Sequence, residues 1–263
     1  MREKRKATRI AEGVTLLKGL DFECCLWLVE GRERALLIDT GLGVGDLRAE
    51  VEALTSLPVD VVNTHGHGDH SGGNYLFDRV YLHEKAVPEA EAALDMTALV
   101  ASPEELAAIR KRTAERPTEL CFLREGDGFD LGGRRLEVFE TLGHTAGDLT
   151  LFDRESGLLF SGDSMVKSMD VLLVVPQTVS VACWAASLRK LAAIKSVRGF
   201  CSGHDERVMP RSFLLDCLAC AEEILAGRAD SREVDPGLPG IENCLLAVHG
   251  DAAVLYFAEK IRG

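Results

Sequence analysis

No apolar stretch in the 263-residue sequence approaches the roughly 20 residues that a membrane-spanning helix needs. The longest, Val171 to Pro176 and Cys24 to Val29, fall far short, and no bilayer crossing is expected. A basic surplus is missing too: 30 Lys and Arg stand against 42 Asp and Glu. The resulting net charge of -12 repels phosphate backbones and anionic membrane surfaces, so nucleic acid is not an expected partner. An export signal is also wanting. Met1 to Lys6 is basic enough for one, but Arg9 and Glu12 interrupt Ala7 to Gly13, where an apolar segment should follow. The expected compartment is the cytoplasm, in which the eight cysteines read as reduced thiols rather than four disulfides. Cys217 and Cys220 fall on one face of a helical pattern without the second cysteine pair of a structural zinc site, which makes them core thiols. Cys24 and Cys25 sit in a strand-like run, point to opposite faces and carry no catalytic assignment.

What is present suffices for one sizeable core: 46% hydrophobic and 27% charged residues exclude disorder, collagen and coiled coil. Apolar runs at Val14–Leu17, Cys24–Val29 and Ala35–Ile38 predict a strand meander. Helical spacing at Asp46–Leu57 and a short strand at Val59–Asn63 then lead into a glycine-rich loop. A strand at Arg79–Leu82 precedes two helical patterns, Glu84–Leu94 and Pro103–Arg116, linked by Asp95–Ser102. This insert reads as two solvated helices or as a lid over a substrate. From Cys121 strands return, at Arg135–Glu140, Leu149–Phe152 and Leu158–Ser161. Helices at Trp184–Lys195 and Arg211–Ala226 flank a short strand at Gly199–Cys201. After the Gly227–Gly240 loop, Cys244–Val248 and Ala253–Phe257 form a final pair. Two successive strand-then-helix halves predict two sheets packed face to face with helices outside.

The densest chemistry lies in Thr64-His-Gly-His-Gly-Asp-His-Ser-Gly-Gly73, with three imidazoles and a carboxylate in six positions. Alternate positions in an extended loop send His65 and His67 the same way, as two ligands of one metal would require, while Asp69 and His70 can reach a second. The intervening glycines are expected to let the backbone bend. Two further loops, Leu142-Gly-His144 and Ser202-Gly-His204, each place a histidine after a glycine at a strand end, and Ser161-Gly-Asp163 places an aspartate at another. Asp205 reads as a solvated neighbour of His204. His83 and His249 read as surface or structural positions, and Val171–Pro176 as a pocket wall, a core strand or a subunit contact.

The order His-x-His-x-Asp-His, His, Asp, His resembles the metallo-β-lactamase superfamily over Val14 to Glu206. The resemblance implies an αββα four-layer sandwich, read as one domain over 1–263 with a helical insert at about 84–116 and a C-terminal strand pair at about 241–263. It also implies two divalent metal ions: His65, His67 and His144 on metal 1, Asp69, His70 and His204 on metal 2, and Asp163 bridging them. Asp39, in Leu37-Ile-Asp-Thr-Gly41, matches the family aspartate that positions the metal loop. Asp163 with Asp69-His70 is similar to the glyoxalase II, lactonase and phosphodiesterase branches, and unlike lactamases with Cys or Ser at the bridging position. The intact His67 differs from the glutamate of the oxygen-reducing flavodiiron branch. The terminal strand pair departs from the basic helical region with which glyoxalase II takes glutathione.

Nitrogen and oxygen donors favour zinc, with iron or manganese as alternatives. Two such ions make hydroxide available near neutral pH, and Asp69 is placed to relay a proton. The expected activity is hydrolysis of a small-molecule thioester, ester or lactone. Its rivals are a phosphodiesterase of the same fold, a mononuclear iron persulfide dioxygenase using two His and one Asp, and a metal-stabilised binding protein. The oligomeric state is left open.

Overall fold

The computed structural model describes residues 4–19, 24–238 and 240–262, so the first three residues of the basic start lie outside it. The chain divides into two compact units, Met1–Phe139 with Leu151–Ser156, and Glu140–Thr150 with Gly157–Gly263.

The first unit is built on a seven-stranded sheet whose spatial order follows the sequence. The meander β1 (Lys6–Ala11), β2 (Val14–Lys18), β3 (Leu26–Glu30) and β4 (Ala35–Ile38) is antiparallel throughout. From β4 the pairing turns parallel, and each crossover then carries helix, as parallel connections require. In order these elements are α1 (Leu47–Glu52), β5 (Val59–Val62), α2 (Gly68–Ser71), β6 (Arg79–Leu82), α3 (Val87–Glu91), α4 (Ala93–Val100), α5 (Pro103–Glu115) and β7 (Glu119–Phe122). Leu17, Leu26, Leu28 and Leu37 from the sheet pack with Leu47 and Val51 of α1 and with Val61 and Val80 to form the core. A hairpin of β8 (Gly128–Asp130) and β9 (Arg135–Glu140) follows. The buried Arg134–Asp153 ion pair stands beside it, and the Arg134 guanidinium also donates to the carbonyls of Glu12 and Glu30. With both charges desolvated, these added acceptors are what make the burial tolerable.

β10 (Leu149–Asp153) gives Leu149 and Thr150 to the second unit and its remaining residues to the first; the second unit goes on with β11 (Leu158–Gly162), β12 (Val171–Leu173), α6 (Val181–Ala193), β13 (Gly199–Ser202), β14 (Met209–Pro210) and α7 (Arg211–Leu225). It closes with β15 (Arg232–Val234), β16 (Cys244–His249) and β17 (Ala252–Tyr256). β11 and β13 pair in parallel, so their C-terminal ends emerge side by side. Ser180 caps α6 through the Cys183 amide, and Trp184, Leu188 and Leu191 bury one face of that helix. The α6 C-terminus is closed by Arg211, whose guanidinium donates to the carbonyls of Ala192, Ile194 and Val197 at 2.6, 2.7 and 3.1 Å.

Several boundaries differ from the sequence reading. The terminal strand pair belongs to a four-stranded sheet, β12-β17-β16-β15, so Val171–Leu173 is a strand of that sheet, and β15 lies within the expected loop. The expected Asp95–Ser102 linker is largely the helix α4, and Glu84–Leu94 is broken into a 3-10 turn and the short α3. Among the described residues, no helix is long and apolar enough to cross a membrane. All eight cysteines are free thiols, and Cys217 and Cys220 are buried as expected. Burial pushes the Cys220 thiol up to about 12 and raises Cys217 as well.

Candidate metal centre

In the first unit the donors rise from the C-terminal ends of β4 and β5. Ile38 pairs with Val62 in parallel register, and the Asp39 amide donates to the Val62 carbonyl at 2.8 Å, so Asp39 leaves the sheet beside the incoming metal loop. Asp39 has φ 65°, a left-handed conformation that costs a non-glycine residue about 1–2 kcal/mol. Its fully engaged carboxylate offsets that cost: Oδ1 accepts the Thr64 amide at 2.7 Å, and Oδ2 accepts the Thr64 hydroxyl at 2.9 Å and faces His70 Nδ1 at 2.9 Å. With Nδ1 committed to a carboxylate, the lone pair of His70 resides on Nε2. The His70 carbonyl is held in turn by the Thr40 amide at 2.7 Å and Asn63 Nδ2 at 3.1 Å.

His67 precedes the first turn of α2, which carries Asp69 and His70, and Ser71 Oγ lies within hydrogen-bonding distance of the carbonyls of Gly66 and His67. His65 Nδ1 meets the Thr64 hydroxyl at 3.2 Å, and its Nε2 stands 3.0 Å from His67 Nδ1. Two ligands at zinc-binding distance on one tetrahedral ion stand about 3.3 Å apart, so this pair has the spacing of a shared ion. Asp69 Oδ2 lies 3.6 Å from His70 Nε2. Cys24 Sγ is also within reach of Asp39 and His70, and burial raises its pKa.

The loop glycines do something other than expected. Neither Gly66 nor Gly68 has a positive φ; both are required by close packing of the helical insert. A Cβ on Gly66 would stand 2.3 Å from the Ala86 carbonyl oxygen, and one on Gly68 would stand 2.7 Å from Met96 Cβ. The first part of the insert is therefore a buttress for the metal loop. His83 is buried and caps the 3-10 turn through the Lys85 amide, while His249 pairs with Glu223 at 3.0 Å, so both have structural partners.

The second unit gathers His144, Asp163 and His204. His144 Nδ1 lies 2.7 Å from the Leu172 carbonyl, to which only an N–H can bond, so its lone pair also resides on Nε2. That nitrogen is 3.9 Å from Asp163 Oδ2, and His204 Nε2 is 3.3 Å from the same oxygen. α6 fixes both supporting loops: Trp184 Nε1 donates to the Ser164 carbonyl at 2.8 Å, and Ser187 Oγ lies 3.0 Å from the Leu142 carbonyl. Gly143 lies so close under Trp184 that a Cβ would stand 2.7 Å from that side chain. The expectation that Asp205 is solvated is overturned. It is 6% exposed, and its carboxylate accepts three hydrogen bonds from its own unit. Its neighbours at 167 and 168 are remote in sequence, so spacing offered no signal for it.

A model of the metallo-beta-lactamase superfamily matches residues 23–204, and the chain belongs to that superfamily. It is 35% identical over 161 residues to the acyl-coenzyme A thioesterase MBLAC2 of Bos taurus, a match covering 52% of this chain and 57% of that protein. The chain thus spans little more than half the length of this relative. To the hydroxyacylglutathione hydrolase of Xylella fastidiosa (strain M23) it is 27% identical over 202 residues, covering 77% of this chain and 67% of the other. Both relatives are named as hydrolases, the enzyme class expected. Among solved structures, a beta-lactamase domain protein from Burkholderia ambifaria superposes with a TM-score of 0.62 at 20% identity, covering 86% of this chain and 79% of that one. The metallo-beta-lactamase from Pontibacter korlensis gives 0.61 at 20%, covering 83% and 99%. The fold is the α/β fold of this superfamily, as the sequence resemblance implied.

Proposed function

We propose that the chain is a metal-dependent hydrolase of small-molecule thioesters in which the two donor clusters serve one dinuclear centre. His65, His67 and His144 would hold one divalent ion, Asp69, His70 and His204 the other, and Asp163 both. The observation carrying this reading is the pair of Nδ1 contacts, His70 to Asp39 and His144 to the Leu172 carbonyl, which turn neutral Nε2 lone pairs outward on rings that are themselves buried. The donors are imidazole nitrogen and carboxylate oxygen, which suit zinc, with iron or manganese as alternatives. When bound, such ions supply Lewis acidity toward a carbonyl and make water a nucleophile near neutral pH. The protein's own part is to keep the His70 and His144 imidazoles in one tautomer, to place the Asp69 carboxylate where a proton can be passed, and to hold Asp163 between two histidines.

A thioester accords with the names of both relatives and with the acidic balance of the chain. A phosphodiester gains from an Arg or Lys at its non-bridging oxygens. Of the three cations considered for that role, Arg79, Lys85 and Lys167, Arg79 is paired with Glu119 and Lys167 with Asp251. The free state of the cysteines accords with a cytoplasmic setting.

The test is a panel of acyl-coenzyme A and glutathione thioesters, aryl esters, lactones and bis-aryl phosphodiesters assayed with the metal-loaded protein. The highest kcat/KM is expected on a thioester, and His65→Ala should abolish it. A phosphodiester cleaved faster than every carbonyl substrate contradicts the substrate class. Oxygen uptake on a persulfide with a single tightly held iron contradicts the dinuclear hydrolase altogether.

A further inference from the structure

Asp205 lies outside the donor set, yet it is bound more tightly into its surroundings than any residue that follows a ligand needs to be. Because β11 and β13 are parallel neighbours, with Gly162 opposite Ser202, Asp163 and Gly203 leave the sheet side by side, and the Gly203 amide donates to the Gly162 carbonyl at 2.8 Å. The chain then loops away from Asp163 and returns at Lys167 and Ser168. Asp205 receives that return: Oδ2 accepts the Lys167 amide at 2.9 Å and the Ser202 hydroxyl at 2.7 Å, and Oδ1 accepts the Ser168 amide at 2.8 Å. Ser168 Oγ donates to the His204 carbonyl at 2.9 Å, and Ser202 Oγ accepts the amides of His204 and Asp205 at 3.2 and 2.9 Å. Every bond in this ring joins the strand end bearing His204 to itself or to the loop that begins at Asp163. A carboxylate offers two acceptor oxygens to these two adjacent amides and the hydroxyl, whereas an amide side chain offers a single acceptor oxygen.

We infer that Asp205 is a positioning residue for the ion shared by Asp163 and His204: it fixes the 3.3 Å separation of their donor atoms before any metal arrives. This rests on the dinuclear reading above. Residues that orient ligands without touching the metal typically govern affinity by about 10–100-fold. The ring does not involve His65, His67 or the Leu172 contact of His144, so its loss should weaken the ion held with His204 more than the other, which it reaches only through Asp163.

The test is zinc titration of the metal-free protein against a chromophoric chelator, for the wild type, Asp205→Asn and Ser168→Ala, with thermal unfolding of each metal-free form alongside. The wild type is expected to bind two ions. Asp205→Asn should bind the ion held with His204 about 10–100-fold more weakly and the other with a much smaller change, and Ser168→Ala should shift the first of these in the same direction by less. A purely architectural role would lower the unfolding temperature and leave both affinities alone, and that result overturns the inference. If Asp205→Asn does not unfold cooperatively, Ser168→Ala decides: an affinity for the ion held with His204 equal to the wild type's overturns it. A wild-type protein that takes fewer than two ions overturns the dinuclear reading and this inference with it, whereas two ions bound equally by all three proteins overturns this inference alone.

Discussion

Asp39 shows how one side chain can be both strained and indispensable. Its left-handed backbone is tolerated because its two oxygens take the Thr64 amide, the Thr64 hydroxyl and the His70 imidazole. Asp39→Ala removes all three bonds and keeps the strain, leaving buried donors unsatisfied at about 1–3 kcal/mol. A lower unfolding temperature of the metal-free protein is expected, together with roughly 10–100-fold weaker metal binding by chelator competition. Asp39→Asn suits the backbone but presents one acceptor where two are used, so it should recover more stability than metal affinity. Equal recovery of both would show that the carboxylate does not orient His70. At this scale the candidate donors were legible in the sequence because three histidines and an aspartate in six positions have few other uses. Asp205 was not, because what defines it is the amides of residues 167 and 168, which adjacency to a histidine does not reveal.

Among the elements, the metal loop and the helical insert form one packed body in the first unit. Gly66 lies against the Ala86 carbonyl and Gly68 against Met96, so neither α2 nor the insert can shift without the other. Gly66→Ala should cost about 1–3 kcal/mol through overpacking, seen as a lower unfolding midpoint, and should impair metal binding although no ligand is altered. A variant as stable as the wild type would mean that the insert yields and is not a buttress. The interior strands and the helices α6 and α7 were readable from apolar periodicity. β1, β7 and β15 were not: their exposed edge positions carry Lys, Arg and Glu, and a half-exposed edge strand has little apolar alternation to read. α4 was read as a linker because its single turn pair contributes only Ala93 and Thr97 to the interior.

For the molecule as a whole, the buried thiols set a limit on the alkaline side. Burial pushes the folded Cys220 thiol up to about 12 and raises Cys217 too, against 9.0 for an ordinary thiol. Above about pH 9 the unfolded chain therefore releases protons that the folded one retains, and stability falls as pH rises. Chemical denaturation midpoints should drop from about pH 8 to about pH 10, and the drop should be shallower in Cys220→Ala, although that variant starts lower because it leaves a cavity. A slope unchanged by that substitution would assign the alkaline loss to other groups.

We propose one dinuclear hydrolytic centre served by two donor clusters, one beside the parallel β4–β5 pair and one joining His144 to the ends of the parallel β11–β13 pair. It is tested most directly by adding zinc in known equivalents to the metal-free protein and following hydrolysis of an acyl-coenzyme A thioester at each step. Activity is expected to be absent without metal and to rise to a plateau at two equivalents per chain. Full activity at one equivalent, or hydrolysis independent of added metal, would contradict it.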